Sequence, residues 1–217
     1  MPTILAVDIG GTNVKAMATG QEEVRKFPSG PELTPAKMVE GVLNLTRDWQ
    51  YDVVSIGYPG PVANNKALLE PKNLASGWVG FDFAAGFERP VRLINDAAMQ
   101  ALGSYEGGRM LFLGLGTGLG SALIVERVIA PLELAHLPYR KGRTFEDYVG
   151  ARGLKRLGKK KWHKAVCDVV ARLKAALVAD YVVLGGGNAR KLDELPLGVR
   201  LGDNRHAFIG GFRLWEA

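Results

Sequence analysis

Short apolar runs that end at glycine or another turn residue recur along the 217-residue chain. Each run predicts a buried strand that stops at a tight turn, because glycine has no Cβ and tolerates sharp bends. Segments with helical spacing of apolar residues separate the runs, and this alternation is typical of α/β proteins. The predicted strands are residues 4–8, 14–19, 53–57, 92–94, 110–113, 121–125 and 181–184.

Helices are predicted between these strands. Thr34 and Pro35 form a start signal, a hydroxyl cap followed by proline at the first helical position. Shorter helices are expected over residues 97–105 and after the capping pattern at 144–147. The longer helices each predict one buried stripe, made of Met38, Val42, Leu45 and Trp49 in the first and of Trp162, Val166, Val169, Leu173 and Leu177 in the second.

The second half of the chain repeats the strand–turn–strand theme of the first. This repetition predicts two similar α/β lobes around a cleft. The expected lobes are residues 1–106 and 107–217, divided near Glu106-Gly107-Gly108, with the last helix able to pack back on the first lobe.

Three of the turns are rich in glycine and follow an apolar run. They contain Gly10-Gly11-Thr12, Gly114 to Gly120, and Gly185-Gly186-Gly187. Such turns bring backbone N–H groups close to an anion, and three of them indicate a nucleotide or polyphosphate held from several sides. Asp8, at the end of the first strand, is well placed to hold hydrated Mg²⁺.

The charge is basic, with a formal net charge of +6 and a sequence pI near 9.5. This balance allows an anionic partner, although a soluble protein with a basic surface explains it equally well. One dense basic run fits polyphosphate as its partner or is simply a solvated helix face. It consists of Lys155, Arg156, Lys159, Lys160, Lys161 and Lys164, preceded by Arg140, Lys141 and Arg143.

The chain holds one cysteine, so neither an internal disulfide nor a cysteine-rich zinc site is expected. No signal peptide and no membrane-spanning run is visible, and the expected location is the cytoplasm.

Several motifs together resemble those of the ROK sugar kinases, whose fold is that of the actin–hexokinase–heat-shock ATPase superfamily. The resemblance covers residues 4 to about 214 and is greatest to compact polyphosphate and ATP glucokinase-like members. It implies a ribonuclease H-like, two-lobed α/β fold. The motifs are Asp8-Ile9-Gly10-Gly11-Thr12, Gly57-Tyr58-Pro59-Gly60, Asn95-Asp96, Gly114-Leu115-Gly116-Thr117-Gly118, Glu133-Leu134-Ala135-His136 and Leu184-Gly185-Gly186-Gly187.

The resemblance also implies a role for individual residues. Asp96 is the expected catalytic base, and Asp8 is expected to hold Mg²⁺ through water. The expected sugar ligands are Asn73, Asn95, Glu133, His136 and Glu146. The expected phosphate and nucleotide ligands are Gly10, Gly11, Thr12, Asn13, Lys15, Gly116, Thr117, Gly118, Gly185 and Gly186.

Each polar candidate has a plain structural alternative. Asp96 also fits a helix N-cap, and Glu146 fits a partner of a helix dipole. His136 lies in an apolar run, where a satisfied core histidine is common. Lys15 also fits an exposed strand lysine.

The expected activity is phosphoryl transfer from ATP or polyphosphate to a hexose hydroxyl, with Mg²⁺ and Asp96 as base. The other hypothesis is a sugar- or nucleotide-binding sensor that has lost catalysis, because the sugar loop is short and Ala135 replaces the usual glycine. Residues 137–145 contain no cysteine, so the family's zinc site is not expected. The expected partners are a sugar, a phosphoryl donor and a second copy in a homodimer, with no nucleic acid and no membrane.

Overall fold

The computed structural model describes residues 2–216 and divides the chain into two compact units. The first unit contains the residues up to Gly103 together with those from Ala207 onward, and the second unit is Ser104–His206. Among residues 2–216, no helix combines the length and the apolar character that crossing a membrane requires.

The first unit is built on a five-stranded sheet. The strands of this unit are β1 (Ile4–Ile9), β2 (Asn13–Ala18), β3 (Arg25–Pro28), β4 (Val53–Tyr58), β5 (Val62–Ala63), β6 (Lys66–Ala67) and β7 (Val91–Asn95). Its first helices are α1 (Pro35–Leu45), α2 (Phe83–Phe87) and α3 (Asp96–Ser104). The sheet order is β3-β2-β1-β4-β7, and β5 pairs with β6 in a separate ribbon. Strands β1, β2 and β3 are antiparallel neighbours, whereas β1, β4 and β7 run parallel.

The second unit repeats this arrangement. Its strands are β8 (Arg109–Leu115), β9 (Leu119–Val125), β10 (Val128–Leu132), β11 (Pro138–Arg140), β12 (Arg143–Thr144), β13 (Tyr181–Gly185) and β14 (Val199–Leu201), and its helices are α4 (Phe145–Val149), α5 (Ala151–Ala176) and a 3₁₀ turn over Ala189–Lys191. The sheet order is β10-β9-β8-β13-β14, again three antiparallel strands followed by two parallel ones. The predicted similarity of the two halves is therefore present in the strand order.

Both predicted apolar stripes pack into hydrophobic cores, although Leu45 and Leu177 are only partly buried and each stripe runs past the end of its helix. Helix α1 ends at Leu45, and Trp49 lies four residues beyond its end although it is buried in the same core. Thr46 stops the helix because it adopts a non-helical conformation and its hydroxyl donates to the carbonyl of Val42. In the second unit the stripe residues Trp162 to Leu173 lie on α5 and share a buried core with residues of β8 and β13, whereas Leu177 follows the helix end at Ala176.

Helix α5 is bent at Gly158, where φ is +72° and ψ is 161°. This backbone conformation favours glycine and interrupts the helical geometry. The bend lies inside the basic run, which places that run around a helix junction as the sequence predicts.

The last helix, α6 (His206–Arg213), completes the first unit. Its Gly210 packs so closely on α3 that a Cβ there would lie 1.7 Å from the carbonyl oxygen of Met99. Ser55 on β4 donates to the carbonyl of Gly211, and the Trp215 indole donates to the Ser55 hydroxyl. Helix α6 and Trp215 thus pack into the first unit.

Candidate active site

The carboxyl ends of β1, β4 and β7 meet at one edge of the first sheet. In the strand register Asp8 lies beside Gly57, and Tyr58 lies beside Asn95. Ligands of open α/β sheets bind outside this edge, because the loops and helix starts that follow the strands converge there. The predicted magnesium ligand Asp8 and the predicted base Asp96 therefore lie at the carboxyl ends of β1 and β7, with β4 between these two strands.

The first glycine turn holds its carbonyl groups inward. Ser29 donates its hydroxyl to the carbonyl of Gly10 at 2.6 Å and its N–H to the carbonyl of Thr12 at 3.0 Å. The N–H of Gly10 donates to the carbonyl of Asn13. Within residues 2–216 no acceptor takes the N–H groups of Gly11 and Thr12, which are exposed. Two neighbouring free N–H groups in such a turn form an anion-binding concavity.

Asp8 and Lys15 face each other across the β1–β2 pair. The Lys15 Nζ lies 3.3 Å from the Asp8 Oδ2, and both side chains are partly buried. Lys15 is thus not a plain exposed strand lysine, because its amine has a carboxylate partner, and its phosphate role stays a prediction. That partner keeps the ammonium group beside the glycine turn.

Asp96 opens α3, and the N-cap function belongs to its neighbour. The Asn95 Oδ1 accepts the N–H of Ala98 at 3.1 Å, and the Asn95 Nδ2 donates to the carbonyl of Gly60. The alternative that Asp96 is the N-cap is wrong, since Asn95 occupies that position, and the Asp96 Oδ1 accepts the N–H of the next residue, Ala97, at 2.7 Å. Gly57 permits this geometry, because a Cβ on it would meet the Cα of Asp96 at 3.4 Å and the Met99 side chain closer still.

The Asn73 loop approaches the first glycine turn from the other side. A Cβ built on Gly11 would lie 3.7 Å from the Asn73 Nδ2. Glu70 closes this loop, because its carboxylate accepts the N–H groups of Trp78 at 3.0 Å and Val79 at 3.2 Å. These backbone hydrogen bonds lower the pKa of Glu70 below its ordinary value, and the bond from Trp78 has the largest effect.

The second glycine turn follows β8, and its carbonyl and N–H groups are oriented as in the first turn. Its Gly116 carbonyl accepts the N–H of Ala151 at 3.1 Å and the side-chain amide of Asn188 at 2.9 Å. Ala151 also donates to the carbonyl of Thr117. Within the described part of the chain, the N–H groups of Thr117 and Gly118 have no acceptor, as in the first turn.

The third glycine turn packs directly on the second. Gly186 has a φ of +79°, and a Cβ on it would lie 2.6 Å from the carbonyl oxygen of Leu115, so only glycine fits. Asn188 donates its N–H to that same carbonyl. The turn at Gly185 and Gly186 is therefore part of the wall that fixes the second glycine turn.

Glu146 connects the second glycine turn to the predicted sugar loop. Its carboxylate accepts the N–H of Leu119 at 3.3 Å and fills the space above Gly118, where an added Cβ would collide with it. Its own N–H donates to the carbonyl of Ala135 at 3.0 Å. Thr144 and Asp147 form a full capping box at the start of this helix, so the predicted capping pattern is confirmed.

Glu133 and His136 both have exposed side chains on the loop that follows β10. The loop is anchored where Ser121 on β9 donates its hydroxyl to the carbonyl of Leu132 and accepts the N–H of Leu134. The alternative that His136 is a core residue is wrong, because the ring is exposed while its neighbour Ala135 is buried.

The donor set fits magnesium better than a structural metal. Residues 2–216 contain no group of three or more His, Cys, Asp or Glu side chains that could hold a metal ion. Mg²⁺ does not need such a group, because it keeps several waters and binds one or two carboxylates together with substrate phosphates. Asp8, a lone carboxylate beside a turn with free N–H groups, suits that form of binding.

Two residues that shape these turns have weak sequence signals. Ser29 binds the first turn from a position 19 residues beyond Gly10, and nothing in its neighbourhood marks it. Asn188 follows the third glycine run directly, and an amide next to a glycine turn is the one signal that points to it.

Comparison with known proteins agrees with this fold. The family model described as "ROK family" matches residues 4–130. A polyphosphate glucokinase of Mycobacterium tuberculosis is 28% identical over 217 residues, which span 88% of this chain and 80% of that protein. An N-acetylmannosamine kinase of Escherichia fergusonii is 30% identical over 138 residues, spanning 56% of this chain and 47% of that protein.

Solved structures share the fold at lower identity. The inorganic polyphosphate/ATP-glucomannokinase from Arthrobacter sp. strain KM has a TM-score of 0.82 at 22% identity and covers 96% of each chain. A ROK family glucokinase from Streptomyces griseus, solved with glucose and AMPPNP, has a TM-score of 0.74 at 16% identity and covers 98% of each chain.

The fold class is thus the α/β fold of the actin–hexokinase-like sugar kinases, as the sequence predicts. The chain belongs to the ROK family, and its enzyme class is that of the sugar kinases, which are phosphotransferases.

Proposed function

We propose that the protein transfers a phosphoryl group from ATP or polyphosphate to a hexose hydroxyl, with Asp96 as the base. The observation that carries this proposal is that the peptide groups of the two glycine turns have the same orientation. Both direct their carbonyl groups into the protein and leave a pair of N–H groups without an acceptor among the described residues. Such turns stabilise negative charge on a phosphoryl group as it moves.

The assignment of Asp96 as the base rests on its position in the sheet. Asp96 follows the carboxyl end of β7 on the strand edge that also carries Asp8, and Asn95 has already taken the capping function. In the transfer, the bond between the terminal phosphorus and its bridging oxygen breaks and a bond to the sugar oxygen forms. The hydroxyl proton passes to the Asp96 carboxylate, and the shortened donor leaves.

The remaining polar candidates are assigned to the sugar and to the metal. We assign Asn73, Asn95, Glu133, His136 and Glu146 to the sugar hydroxyls, and the exposure of Glu133 and His136 supports this. Asp8 would hold Mg²⁺ through water, and the metal would neutralise charge on the donor phosphates. The relatives named as polyphosphate glucokinase and polyphosphate/ATP-glucomannokinase support the choice of donors and a hexose acceptor. A homodimer stays a prediction from the sequence.

A matrix of donors and sugars tests the proposal. Purified protein with Mg²⁺ is incubated with ATP or polyphosphate and a panel of hexoses, and sugar phosphate is measured. Product with a hexose and either donor is the expected result. Sugar binding without product from any donor would overturn the proposal and favour a sensor without catalysis.

The substitution Asp96→Asn tests the base separately. A positioned base contributes about 10²–10⁴-fold in rate, so turnover should fall by at least about 10²-fold while the sugar affinity is kept. The matched control is Asp52→Asn, a carboxylate at the amino-terminal edge of the same sheet that accepts hydrogen bonds from Thr3. The assignment is wrong if Asp96→Asn retains the turnover of this control.

A further inference from the structure

The positive charge of the protein is concentrated in one stretch of the second unit. Residues 138–176, which include the β11–β12 hairpin and α5, contain 12 Lys and Arg but only 3 Asp and Glu. The remainder of the chain contains 16 basic and 19 acidic residues and is therefore slightly acidic. A uniformly basic surface does not explain this distribution, whereas a localised anion-binding surface does.

The carboxylates of this stretch are already occupied. Asp168 contacts Arg140 at 3.1 Å and Arg172 at 2.7 Å, and it also accepts the Tyr139 hydroxyl. The side chain of Asp147 belongs to the capping box at the start of α4. These carboxylates therefore leave most of the cations on α5 without a partner of opposite charge.

A set of lysines on α5 remains unmatched, and we call it the lysine strip. Each member is exposed, and among residues 2–216 no carboxylate lies within ion-pair distance of any of them. The lysine strip consists of Lys155, Lys160, Lys161 and Lys164. The bend at Gly158 lies between the first lysine and the other three.

The lysine strip is continuous with the second glycine turn. The first residue of α5, Ala151, donates its N–H to the carbonyl groups of Gly116 and Thr117. Lys155 is one helical turn further on, and the other three lysines follow after the bend at Gly158. A polyanion whose end occupies the glycine turn would thus meet lysines along its length.

We infer that the lysine strip binds a chain of inorganic polyphosphate whose terminal phosphate lies at the Thr117 turn. This inference rests on the proposed kinase function and assigns the long-chain donor to a surface of this chain. An extended inorganic anion needs only a row of cations, which neutralise its charges and release its counterions.

A single-stranded nucleic acid fits the strip less well. Proteins that bind such strands combine cations with exposed aromatic rings on which the bases stack. The one Trp, Tyr or Phe side chain of α5 is Trp162, which is fully buried and donates its indole N–H to the carbonyl of Val149. The strip therefore offers charge without a stacking surface.

The test removes three charges from the strip and three from elsewhere. The strip variant is Lys160→Gln/Lys161→Gln/Lys164→Gln. The matched control is Lys26→Gln/Arg47→Gln/Lys66→Gln, three exposed cations of the first unit. For each protein, kcat and KM are measured with long-chain polyphosphate, with tripolyphosphate and with ATP, at several salt concentrations.

The expected result is selective for the long donor. In the strip variant, KM for long-chain polyphosphate should rise about tenfold or more, and the slope of log KM against log salt should fall by about 2. Its constants for tripolyphosphate and ATP, and all constants of the control, should stay within about twofold of the wild type. An equal KM for the long donor in all three proteins would overturn the inference, as would an equal rise for all donors.

Direct binding separates this inference from the proposed function. Fluorescence anisotropy of labelled long-chain polyphosphate measures affinity without turnover, for the wild type and both variants. If no donor gives product but the strip variant alone loses polyphosphate affinity, the proposed kinase function is overturned. Binding of polyphosphate by the lysine strip is then still supported. A single-stranded oligonucleotide with as many phosphates should bind more weakly than polyphosphate, and equal binding that the strip variant loses would overturn polyphosphate as the occupant.

Discussion

Glu146 shows how one side chain can serve two loops. Its carboxylate supports the second glycine turn through the N–H of Leu119, and its backbone N–H holds the loop of Glu133 and His136 through Ala135. A shift of this residue therefore moves the predicted phosphate and sugar ligands of this unit together. The alternative of a plain helix-dipole partner does not account for the contact with the turn.

Substitutions of Glu146 should separate positioning from charge. Glutamine keeps an oxygen that can accept the Leu119 N–H, whereas alanine leaves that N–H without its acceptor, a loss of about 1.4 kcal/mol, which corresponds to a factor of about ten. We expect Glu146→Ala to raise KM for the donor by about tenfold and Glu146→Gln to stay within about threefold. Steady-state kinetics with both substrates measures this. An equal and large rise in KM for the sugar in both variants would instead show that the negative charge contacts the sugar.

At the scale of elements, the Asn73 loop depends on the ionised form of Glu70. The carboxylate accepts two backbone N–H groups, which lower its pKa, so ionised Glu70 stabilises the folded loop. A depressed folded-state pKa contributes stability above the ordinary pKa near 4.5, and this contribution is lost as the pH falls through the folded value.

The variant Glu70→Gln tests this pH dependence. At pH 7 it should melt at a lower temperature than the wild type, and the difference should shrink as the pH falls below about 4.5. Thermal unfolding followed by circular dichroism from pH 3 to pH 7 measures it. Glu88→Gln, an exposed glutamate of the same unit, serves as the control. A constant difference across this pH range would contradict the role of the ionised carboxylate.

Helix α6 packs on α3 with no room for a side chain at Gly210. Because a Cβ there would collide with the backbone of Met99 rather than with a flexible side chain, Gly210→Ala must push the two helices apart. Overpacking of this kind costs about 1–3 kcal/mol. Chemical denaturation should show this loss, while Ile209→Ala, at a partly exposed neighbouring position, should cost less. Equal stability of Gly210→Ala and the wild type would contradict the close packing.

The elements that the sequence predicts correctly are those with local signals. Strands that end in glycine, the Thr34 and Pro35 start of α1 and the capping pattern at Thr144 each depend on residues a few positions apart. The short strands β3 and β14 have no such local signal, because contacts distant in sequence stabilise them. Ser29 and Glu70 escaped prediction for the same reason, since their hydrogen-bond partners are defined by the fold.

At the scale of the whole molecule, the two sheets share one strand order. In both, a glycine turn joins the first two antiparallel strands and a parallel strand follows on the other side. The sequence indicates this repetition through its two glycine turns, even though the helices between the strands differ. Each unit then adds its own polar residues, with Asp8 and Asp96 on the first and Glu133 and Glu146 on the second.

The first unit needs residues from both ends of the chain. Truncation after Arg205 removes α6, including buried Phe208, and should destabilise the first unit by at least the roughly 3–5 kcal/mol that truncating one buried Phe costs. Limited proteolysis should then cut within residues 2–103 faster than within 104–205. Equal protection of both regions would contradict a structural role of α6 in the first unit.

The discontinuous first unit also affects how the protein is made. Domains generally fold in the order in which the ribosome releases them, the N-terminal one first. Here the residues of the second unit, Ser104–His206, have all been synthesised before the helix that completes the first unit exists. During translation the second unit can therefore finish folding while the first still exposes the apolar surface around Ser55 and Met99, which α6 later covers.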